Sequence, residues 1–390
     1  MDGDQDVLNP DRLLAQAQAE TGLENWGDET FPERFRLAVG YIRRAQMDEA
    51  GRHAGAANCL WLLTSRLRFF EDFRRYPIGQ ETIEKPLFAT GEARGGTTFL
   101  HALLSIDPNS RALRFWEIMY PSPPPGLVHP DDPRRAQADA DWRDIIKRMP
   151  KWLISHPYND MLGNGLPECE RTWNFDFRVM TATAWWRVPM HMVSYGLPAD
   201  PRAQYRIHKM MLQYCQYARP KKHWALKGFH TGRLPFLFET YPDARIIWVH
   251  RDPVRQIASL IAFAGELEEM LTGRVDWEKH AQMHLGVARG NYRATLDNPM
   301  IDDPRIHHIR YQDLVADPVG MIRSFYAKYQ IAFESDVESA LNEYVASNKP
   351  DRYGKFRYAP DVIRADIKGL HDEFAPYRQR FGLEIEKVTH

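Results

Sequence analysis

Two short stretches of the chain combine residue types that bind anions, and the first is GEARGGTT, which begins at Gly91. Gly91 and Gly96 fit the outer glycines of the phosphate-binding pattern G-x-x-x-x-G-K-[ST], and Thr98 fits its last position. Thr97 stands where that pattern has its lysine, which leaves Arg94 as the cation inside the loop. The backbone N–H groups of a glycine loop at a helix N-terminus suit an anion. We therefore expect a loop that holds a group of lower charge than a nucleoside triphosphate.

The second stretch is HRDPVRQIAS, in which Arg251 follows an apolar run and Ser259 comes eight residues later. Because ligands of open parallel sheets bind at the carboxyl ends of strands, Arg251 is expected to face such a site. Asp252 and Pro253 suit the cap and the first turn of a helix. An arginine fork and a hydroxyl are suitable partners for a terminal phosphate. The alternative is a surface ion pair between Arg251 and Asp252.

The elements that must position these stretches alternate along the chain. Short apolar or β-branched runs predict strands, and helical patterns follow them, as over residues 97–106. This alternation predicts an α/β fold, one domain with a central parallel sheet. The predicted strands lie at residues 86–90, 223–227, 244–250 and 305–311.

The remaining regions are expected to be helical. Residues 1–85 show apolar positions at helical spacing and predict an N-terminal helical segment packed on a core domain of residues 86–390. A proline-rich loop precedes a helical insertion over residues 134–222, which is rich in aromatic residues. These aromatic residues form either ordinary core or an apolar wall for an acceptor molecule. They include Trp173, Phe175, Trp185 and Trp186.

Composition narrows the class of protein. The 51 lysines and arginines nearly balance 52 acidic residues, so a general nucleic-acid-binding surface is not expected. The three cysteines are odd in number and widely spaced, which argues against a disulfide framework and a metal cluster. The N-terminus does not resemble a signal peptide, and no apolar run has the length of a membrane helix. We expect a soluble, cytoplasmic protein without integral membrane association, as a monomer or a homo-oligomer.

Taken together, the two stretches resemble the nucleotide-binding motifs of sulfotransferases that use 3′-phosphoadenosine-5′-phosphosulfate (PAPS). GEARGGTTFLHALLSIDP is similar to their 5′-phosphosulfate loop, and HRDPVRQIAS is similar to their 3′-phosphate motif. TGLENWGDETF, RFWE, LKGFH, YPDARII and IRYQDLVADP match, in this order, the bacterial-type branch. The resemblance covers nearly the whole chain and implies a P-loop-like three-layer α/β/α domain, PAPS as co-substrate and no metal. The donor-binding residues that it implies are Gly91, Arg94, Gly95, Gly96, Thr97, Thr98, Arg251 and Ser259.

The loop departs from the family pattern at two positions. Ala93 and Gly95 replace the common proline and serine, so a hydroxyl beside the donor is lost while the backbone cradle is kept. LKGFH is also about one residue shorter than the usual Leu-Lys-Ser-Pro-x-His pattern of the family.

The implied reaction is an in-line transfer of a sulfuryl group to a hydroxyl, which requires cations at the leaving phosphate and a base at the acceptor. Arg94 is the first candidate for the cation that stabilises the leaving phosphate, because it lies within the loop. Lys227 is the second, since related enzymes have a lysine that contacts the transferring sulfonate at the matching point. A late basic segment closes over the 3′-phosphate in the family, which implies further donor contacts; a solvated basic loop is the alternative. The residues of that segment are Lys355, Arg357 and Tyr358.

Two residues are candidates for the general base. Glu117 in RFWE is the first, because the tyrosylprotein branch of the family has a catalytic glutamate in about this place, and a salt-bridged or capping glutamate is the alternative. His230 in LKGFH is the second, because imidazole titrates near neutrality. Glu168 and Glu170 in PECE rank below both.

The acceptor and the reaction class leave alternatives open. The aromatic insertion favours a small apolar hydroxyl compound, such as a lipid, a phenol or a polyketide-like metabolite, over a sugar or a peptide tyrosine. A nucleotide kinase or phosphatase is disfavoured by the missing loop lysine and the missing acidic metal ligand. A non-catalytic nucleotide-binding relative is disfavoured because Arg94, Lys227, Arg251 and Ser259 are all present.

Overall fold

A five-stranded parallel sheet lies at the centre of the computed structural model, which describes residues 6–44, 47–178, 200–220 and 222–388. The strand order is β2-β3-β1-β4-β5, and every neighbouring pair is parallel. The strands are β1 Leu87–Gly91, β2 Ser110–Arg111, β3 His223–Lys227, β4 Arg245–His250 and β5 Ile306–Arg310. The α/β fold with a parallel sheet is thus confirmed, and the four predicted strands agree within one residue. The two-residue strand β2 was not predicted because it is too short to show a period.

The helices surround this sheet. Their bounds are α1 Pro10–Thr21, α2 Phe31–Arg44, α3 Glu49–Arg75, α4 Thr97–Ile106, α5 Phe115–Met119, α6 Pro133–Arg148, α7 Trp152–Ser155, α8 Glu170–Trp173, α9 Pro201–Gln216, α10 Leu234–Thr240, α11 Pro253–Thr272, α12 Trp277–Leu296, α13 Tyr311–Ala316, α14 Pro318–Lys328, α15 Ser335–Ser347, α16 Ile367–Glu373 and α17 Ala375–Phe381. The helix predicted over residues 97–106 therefore has the expected bounds. None of the helices in the described part of the chain combines the length and the apolar character that crossing a bilayer requires.

Alternate side chains of each strand point to opposite faces of the sheet, and both faces are buried by packing against other elements. On one face, Leu87 and Ala89 of β1 pack with Leu100 and Leu103 of α4. On the other face, Phe88 packs with residues of β3, β4 and α9. The N-terminal helices form a separate apolar cluster.

The strand register brings the two anion-binding stretches to one edge. Leu87 of β1 pairs with Ala225 of β3 and with Arg245 of β4, and Gly91 at the end of β1 pairs with Val249. The carboxyl ends of the three strands therefore lie side by side, which is where ligands of such sheets bind. Lys227, the glycine loop and Arg251 all lie at this edge.

The aromatic insertion supplies core residues as well as helices. Trp173 is fully buried and contacts Tyr205 of α9 with its ring edge, at a centroid distance of 6.1 Å. It is thus part of the core rather than of an open wall. Trp185 and Trp186 lie outside the described residues, and so does the side chain of Phe175.

Candidate active site

The glycine loop between β1 and α4 has a tight, partly left-handed backbone. Arg94 has φ of 66° and Gly96 has φ of 95°, a region that residues with a side chain rarely adopt. A Cβ at Gly96 would lie 2.6 Å from the ring of Tyr311, and one at Gly95 would lie 2.7 Å from the amide of Gln256. The glycines therefore let two later segments pack against the loop. The first N–H groups of α4 point out of the helix start, as an anion site requires.

Arg94 links the loop to three other segments. Its Nε donates to Ser259 Oγ at 3.1 Å, and its Nη1 donates to the Ser155 carbonyl oxygen at 3.0 Å. The rings of Phe263 and Phe356 lie 5.3 and 5.4 Å from the guanidinium carbon. Burial lowers the pKa of Arg94 to about 10, so the group stays cationic at neutral pH. Arg94 is a partly buried positive charge in the loop.

Arg251 lies at the end of β4 and contacts the same loop. Its Nη1 donates to the Arg94 carbonyl oxygen at 3.2 Å, and its guanidinium carbon lies 3.9 Å from the centroid of the Tyr311 ring. Its Nε and Nη2 donate to the carboxylate of Glu386. Burial opposes the charge, but the bond to Glu386 outweighs it and raises the pKa of Arg251. The structure thus brings Arg94, Arg251 and Ser259 together.

The residues of the late basic segment differ in how deeply they are buried. Tyr358 is half-buried, and the guanidinium carbon of Arg255 lies 5.0 Å from its ring. Burial raises the pKa of its hydroxyl, while Arg255, Ser259 and Arg251 nearby act in the opposite direction. Tyr358 therefore belongs to the cluster around Arg251. Lys355 and Arg357 are exposed on the same segment.

Lys227 ends β3 beside the start of α4. Its Nζ donates to Thr98 Oγ1 at 3.2 Å and to a carboxylate oxygen of Glu168. The Cys169 N–H donates to the Lys227 carbonyl oxygen at 2.8 Å, which fixes the Glu168 segment against the strand end. Burial acts to raise the pKa of Glu168, but the Lys227 ammonium outweighs it and holds that pKa below its ordinary value. An ionised acid–base pair thus lies beside the loop.

Glu117 lies elsewhere, in the first turn of α5. Its carboxylate accepts from Arg111 at 2.7 Å, from Arg219 at 3.0 Å and from the Arg114 N–H at 3.1 Å. Arg111 of β2 pairs with Trp224, three residues before the end of β3. At about 3.3 Å per residue, this places the Arg111 position roughly 10 Å from the Lys227 end of the strand. The structure does not bring Glu117 to the glycine loop; it caps a helix and bridges two arginines.

His230 is fully buried behind β1. Its Nδ1 and the Tyr205 hydroxyl are 2.7 Å apart, and its backbone N–H donates to Thr90 Oγ1 at 3.1 Å. The ring contacts Phe88 edge-on, with centroids 4.9 Å apart. Burial, together with His208 and Arg233, lowers the pKa of His230 well below 6.5. The imidazole is therefore neutral and packed in the core rather than directed at the loop.

The structure adds residues that the sequence did not single out. His156 stacks on Trp152 with centroids 4.4 Å apart and contacts Phe263 at 4.6 Å. Burial and the charges of Arg94 and Lys227 lower the pKa of His156 well below 6.5, and the carbonyl oxygen of the preceding Ser155 accepts from Arg94. The segment KWLISH carries no motif, so only the tertiary contacts reveal it.

Gln256 was also missed, although it lies within the second stretch. With its amide oriented so that both groups are bonded, it donates to the Arg251 carbonyl oxygen and accepts from the Gly95 N–H, each at 3.1 Å. The Tyr292 hydroxyl lies 2.7 Å from the same amide. Gln256 therefore joins the first and second stretches directly. A buried glutamine on an otherwise apolar helix face was the available signal.

Comparisons with known proteins agree with this geometry. A profile described as the sulfotransferase family matches residues 86–335. The omega-hydroxy-beta-dihydromenaquinone-9 sulfotransferases Stf3 of Mycobacterium bovis and Mycobacterium tuberculosis are each 23% identical over 326 residues, covering 72% of this chain and 78% of the relative. Sulfotransferase STF9 from Mycobacterium avium has a crystal structure with TM-score 0.81 and 25% identity, covering 96% of this chain and 97% of that chain. Sulfotransferase STF1 from Mycobacterium tuberculosis H37Rv shares the fold, with TM-score 0.68, 23% identity and coverages of 94% and 98%. Because the family profile spans most of the chain, the protein belongs to the sulfotransferase family.

Proposed function

We propose that the protein transfers a sulfuryl group from PAPS to a hydroxyl of a small apolar acceptor. The observation that carries the proposal is the convergence of Arg94 and Arg251: Arg251 donates to the backbone of Arg94, and Arg94 donates to Ser259. A ligand with phosphate groups at both its 3′ and 5′ positions fits two arginines held this close on separate elements.

The loop is proposed to hold the 5′ end of the donor. The N–H groups at the start of α4, the Thr97 and Thr98 positions, and the cations Arg94 and Lys227 surround this end. The 3′-phosphate is assigned to Arg251, Ser259 and Tyr358. Lys355 and Arg357 are exposed near the same end and are proposed as outer contacts.

Glu168 is the base that the geometry favours. Its carboxylate is ionised, contacts Lys227 and lies beside Thr98, whereas both oxygens of Glu117 are held by arginines and a backbone N–H. In the proposed step, Glu168 accepts the hydroxyl proton of the acceptor as the new O–S bond forms. The S–O bond to the 5′-phosphate breaks, and the two cations stabilise the charge on that oxygen. His230, neutral and buried, is not proposed as the base.

Two cations supply the charge for which a triphosphate-binding loop uses lysine and magnesium. Arg94 lies in the loop itself, and Lys227 donates to Thr98 in the first turn of α4. We therefore propose metal-independent transfer. The three cysteines are buried thiols, which fits the reducing cytoplasm as the proposed place of action.

An apolar acceptor is proposed on two grounds. Phe229, which follows the Gly228 turn after Lys227, is 38% exposed, and its N–H donates to Glu170, two residues from Glu168, so it offers an apolar surface near the proposed base. The name of the relative Stf3 describes a hydroxylated menaquinone as its acceptor. A hydroxylated lipid or quinone is therefore our first choice, ahead of phenols and polyketide-like alcohols.

A donor-labelling screen tests the function. The protein is incubated with labelled PAPS and a panel of lipid, phenolic, polyketide and sugar alcohols, with and without EDTA. We expect labelled product from an apolar alcohol, unchanged by the chelator. Transfer that requires a divalent metal, or that occurs only with sugars, would contradict the proposal.

A further inference from the structure

The segment that carries Glu168 holds a second buried carboxylate that the proposed step does not use. Glu170 begins α8, and its Oε1 accepts from the Phe229 N–H at 2.5 Å. Its Oε2 is buried and has no hydrogen-bond partner among the described residues. A buried carboxylate oxygen without a partner destabilises the folded state, so this atom requires an explanation.

His230 presents a matching atom. Its Nδ1 is bonded to Tyr205, whereas its Nε2 is buried and without a partner among the described residues. Gly228 lies between the two groups: a Cβ there would be 2.7 Å from His230 Nε2 and 2.8 Å from Glu170 Oε2. Both unpaired atoms therefore border the same small space, which exists because residue 228 has no side chain. One enclosed water in this space, hydrogen-bonded to both groups, would satisfy both atoms.

The position of the shared proton follows from the charges around the pair. Glu168 is already ionised beside Lys227, so a second negative charge two residues away is disfavoured. Burial and the charge of Glu168 raise the pKa of Glu170 to about 7, and burial lowers that of His230. The titratable groups that face the pair from α8, β3, α9 and the turn before α10 are Glu168, Cys169, Arg171, Lys227, Tyr205, His208 and Arg233.

We propose that protonated Glu170 donates to one enclosed water beside Gly228, which donates in turn to neutral His230, so that of the two carboxylates Glu168 alone is ionised beside Lys227. The role of Glu168 as the base rests on the proposed function; the hydrogen-bonded pair does not. Glu170 and His230 are positioning residues, because they act on the reaction through the charge and placement of Glu168.

Glu170→Gln distinguishes the proposed proton arrangement from its reverse. A glutamine carbonyl can accept from the Phe229 N–H while its amide donates to the enclosed water, which donates to His230 Nε2, so the proposed bonds are reproduced. If Glu170 were ionised and His230 donated to the water, the water would receive hydrogen bonds from both the imidazole and the glutamine amide and would lose its acceptor at residue 170. We expect E170Q to fold and to keep turnover within about threefold of wild type. Loss of folding, or of turnover by more than about tenfold, would overturn the arrangement.

The pH profile is a readout that a merely structural role would not move. As pH rises through about 7, wild-type Glu170 loses its proton and adds a negative charge two residues from Glu168. Turnover of the wild type should therefore decline there, and the E170Q profile should stay flat. Equal declines in both proteins would contradict the proposal.

Infrared difference spectroscopy tests the pair without any sulfuryl donor. We expect a carboxylic acid C=O band at pH 6 in the wild type that is absent in E170Q and shifted in His230→Gln. His208→Gln is the matched control, because His208 is also buried, bonds a tyrosine hydroxyl through Nδ1 at 2.7 Å and has an Nε2 that finds no partner in the described part of the chain. A missing band, or equal shifts in both histidine variants, would overturn the pair. A normal band without turnover on any acceptor would leave the pair standing and refute the proposed function instead.

Discussion

Arg251 donates through Nε and Nη2 to both carboxylate oxygens of Glu386, at distances of 2.7 to 3.0 Å. The Glu386 backbone N–H also donates to Asp252 at 3.2 Å, so the C-terminal segment is anchored beside β4. The guanidinium edge best suited to a phosphate is thus paired with a carboxylate of the same chain. A 3′-phosphate at this edge must compete with Glu386.

Glu386→Gln should therefore strengthen binding of 3′-phosphoadenosine-5′-phosphate, because the competing charge is removed while the shape is kept. We expect about a three- to fivefold lower Kd by calorimetry, which corresponds to about 1 kcal/mol for the loss of one competing ion pair. Adenosine-5′-phosphate, which lacks the 3′ group, should bind with unchanged affinity. Glu384→Gln, an exposed carboxylate two residues earlier, is the control. Weaker binding by E386Q would mean that the carboxylate orients Arg251 for the nucleotide.

Glu168→Gln and Glu117→Gln should separate catalysis from stability. E168Q removes the proposed base and should lower kcat by about 10²- to 10⁴-fold while nucleotide affinity stays near wild type. E117Q breaks a buried bridge to Arg111 and Arg219 and should lower the free energy of unfolding by about 3 kcal/mol with little change in kcat. Steady-state kinetics and urea unfolding measure the two effects. If E117Q lost turnover and E168Q kept it, the base would be Glu117.

Gly96→Ala should lower the free energy of unfolding by more than backbone strain alone would. Gly96 has φ of 95° and would place a Cβ 2.6 Å from Tyr311, so we expect a loss of about 2–4 kcal/mol in urea unfolding. Gly273→Ala is the matched control, because Gly273 has φ of 76° and open space around it. The free energy of unfolding of that variant should be lower by about 1 kcal/mol. Equal losses would show that the Tyr311 contact is readily relieved.

Glu170 should make the free energy of unfolding of the wild type fall as pH rises. The fall is expected over the pH range in which Glu170 holds its proton in the folded chain but not in the unfolded chain. Its pKa is raised by burial from 4.5 to about 7, so between these values the folded chain binds more protons than the unfolded chain. The advantage of E170Q over wild type should therefore grow from pH 4.5 to 7, by about 3 kcal/mol, and then level off. Denaturant unfolding at pH 5 and pH 8 measures it. A difference that does not change with pH would refute the raised pKa.

Local patterns were sufficient to predict the scaffold of the donor site. The strands are short apolar runs, and glycine, lysine or arginine ends each of them or directly follows it at the sheet edge. For this reason the spacing of Gly91, Gly96, Arg94, Arg251 and Ser259, together with the resemblance to a known family, was sufficient to place them at one edge of the sheet. Their mutual contacts in the structure agree with that placement.

The acid–base residues could not be chosen in the same way. Glu117 and Glu168 are both glutamates among aromatic residues, and nothing local says which one reaches Lys227. The choice depends on β2 pairing with the start of β3 and on the Cys169 N–H bonding its end, which are contacts between distant segments. Glu386 carries no motif, and its contact with Arg251 spans 135 residues.

The strand order makes the donor site a late product of protein synthesis. Leu87, in the middle strand, pairs with Ala225 and Arg245, so the glycine loop leaves the ribosome long before either flanking strand exists. Arg94 further requires Phe356, close to the end of the chain. Such distant pairings fold slowly and expose an apolar strand in the meantime. A nascent chain released before residue 356 would carry the loop without the aromatic ring that covers its arginine, and would be a target for chaperones rather than a partial enzyme.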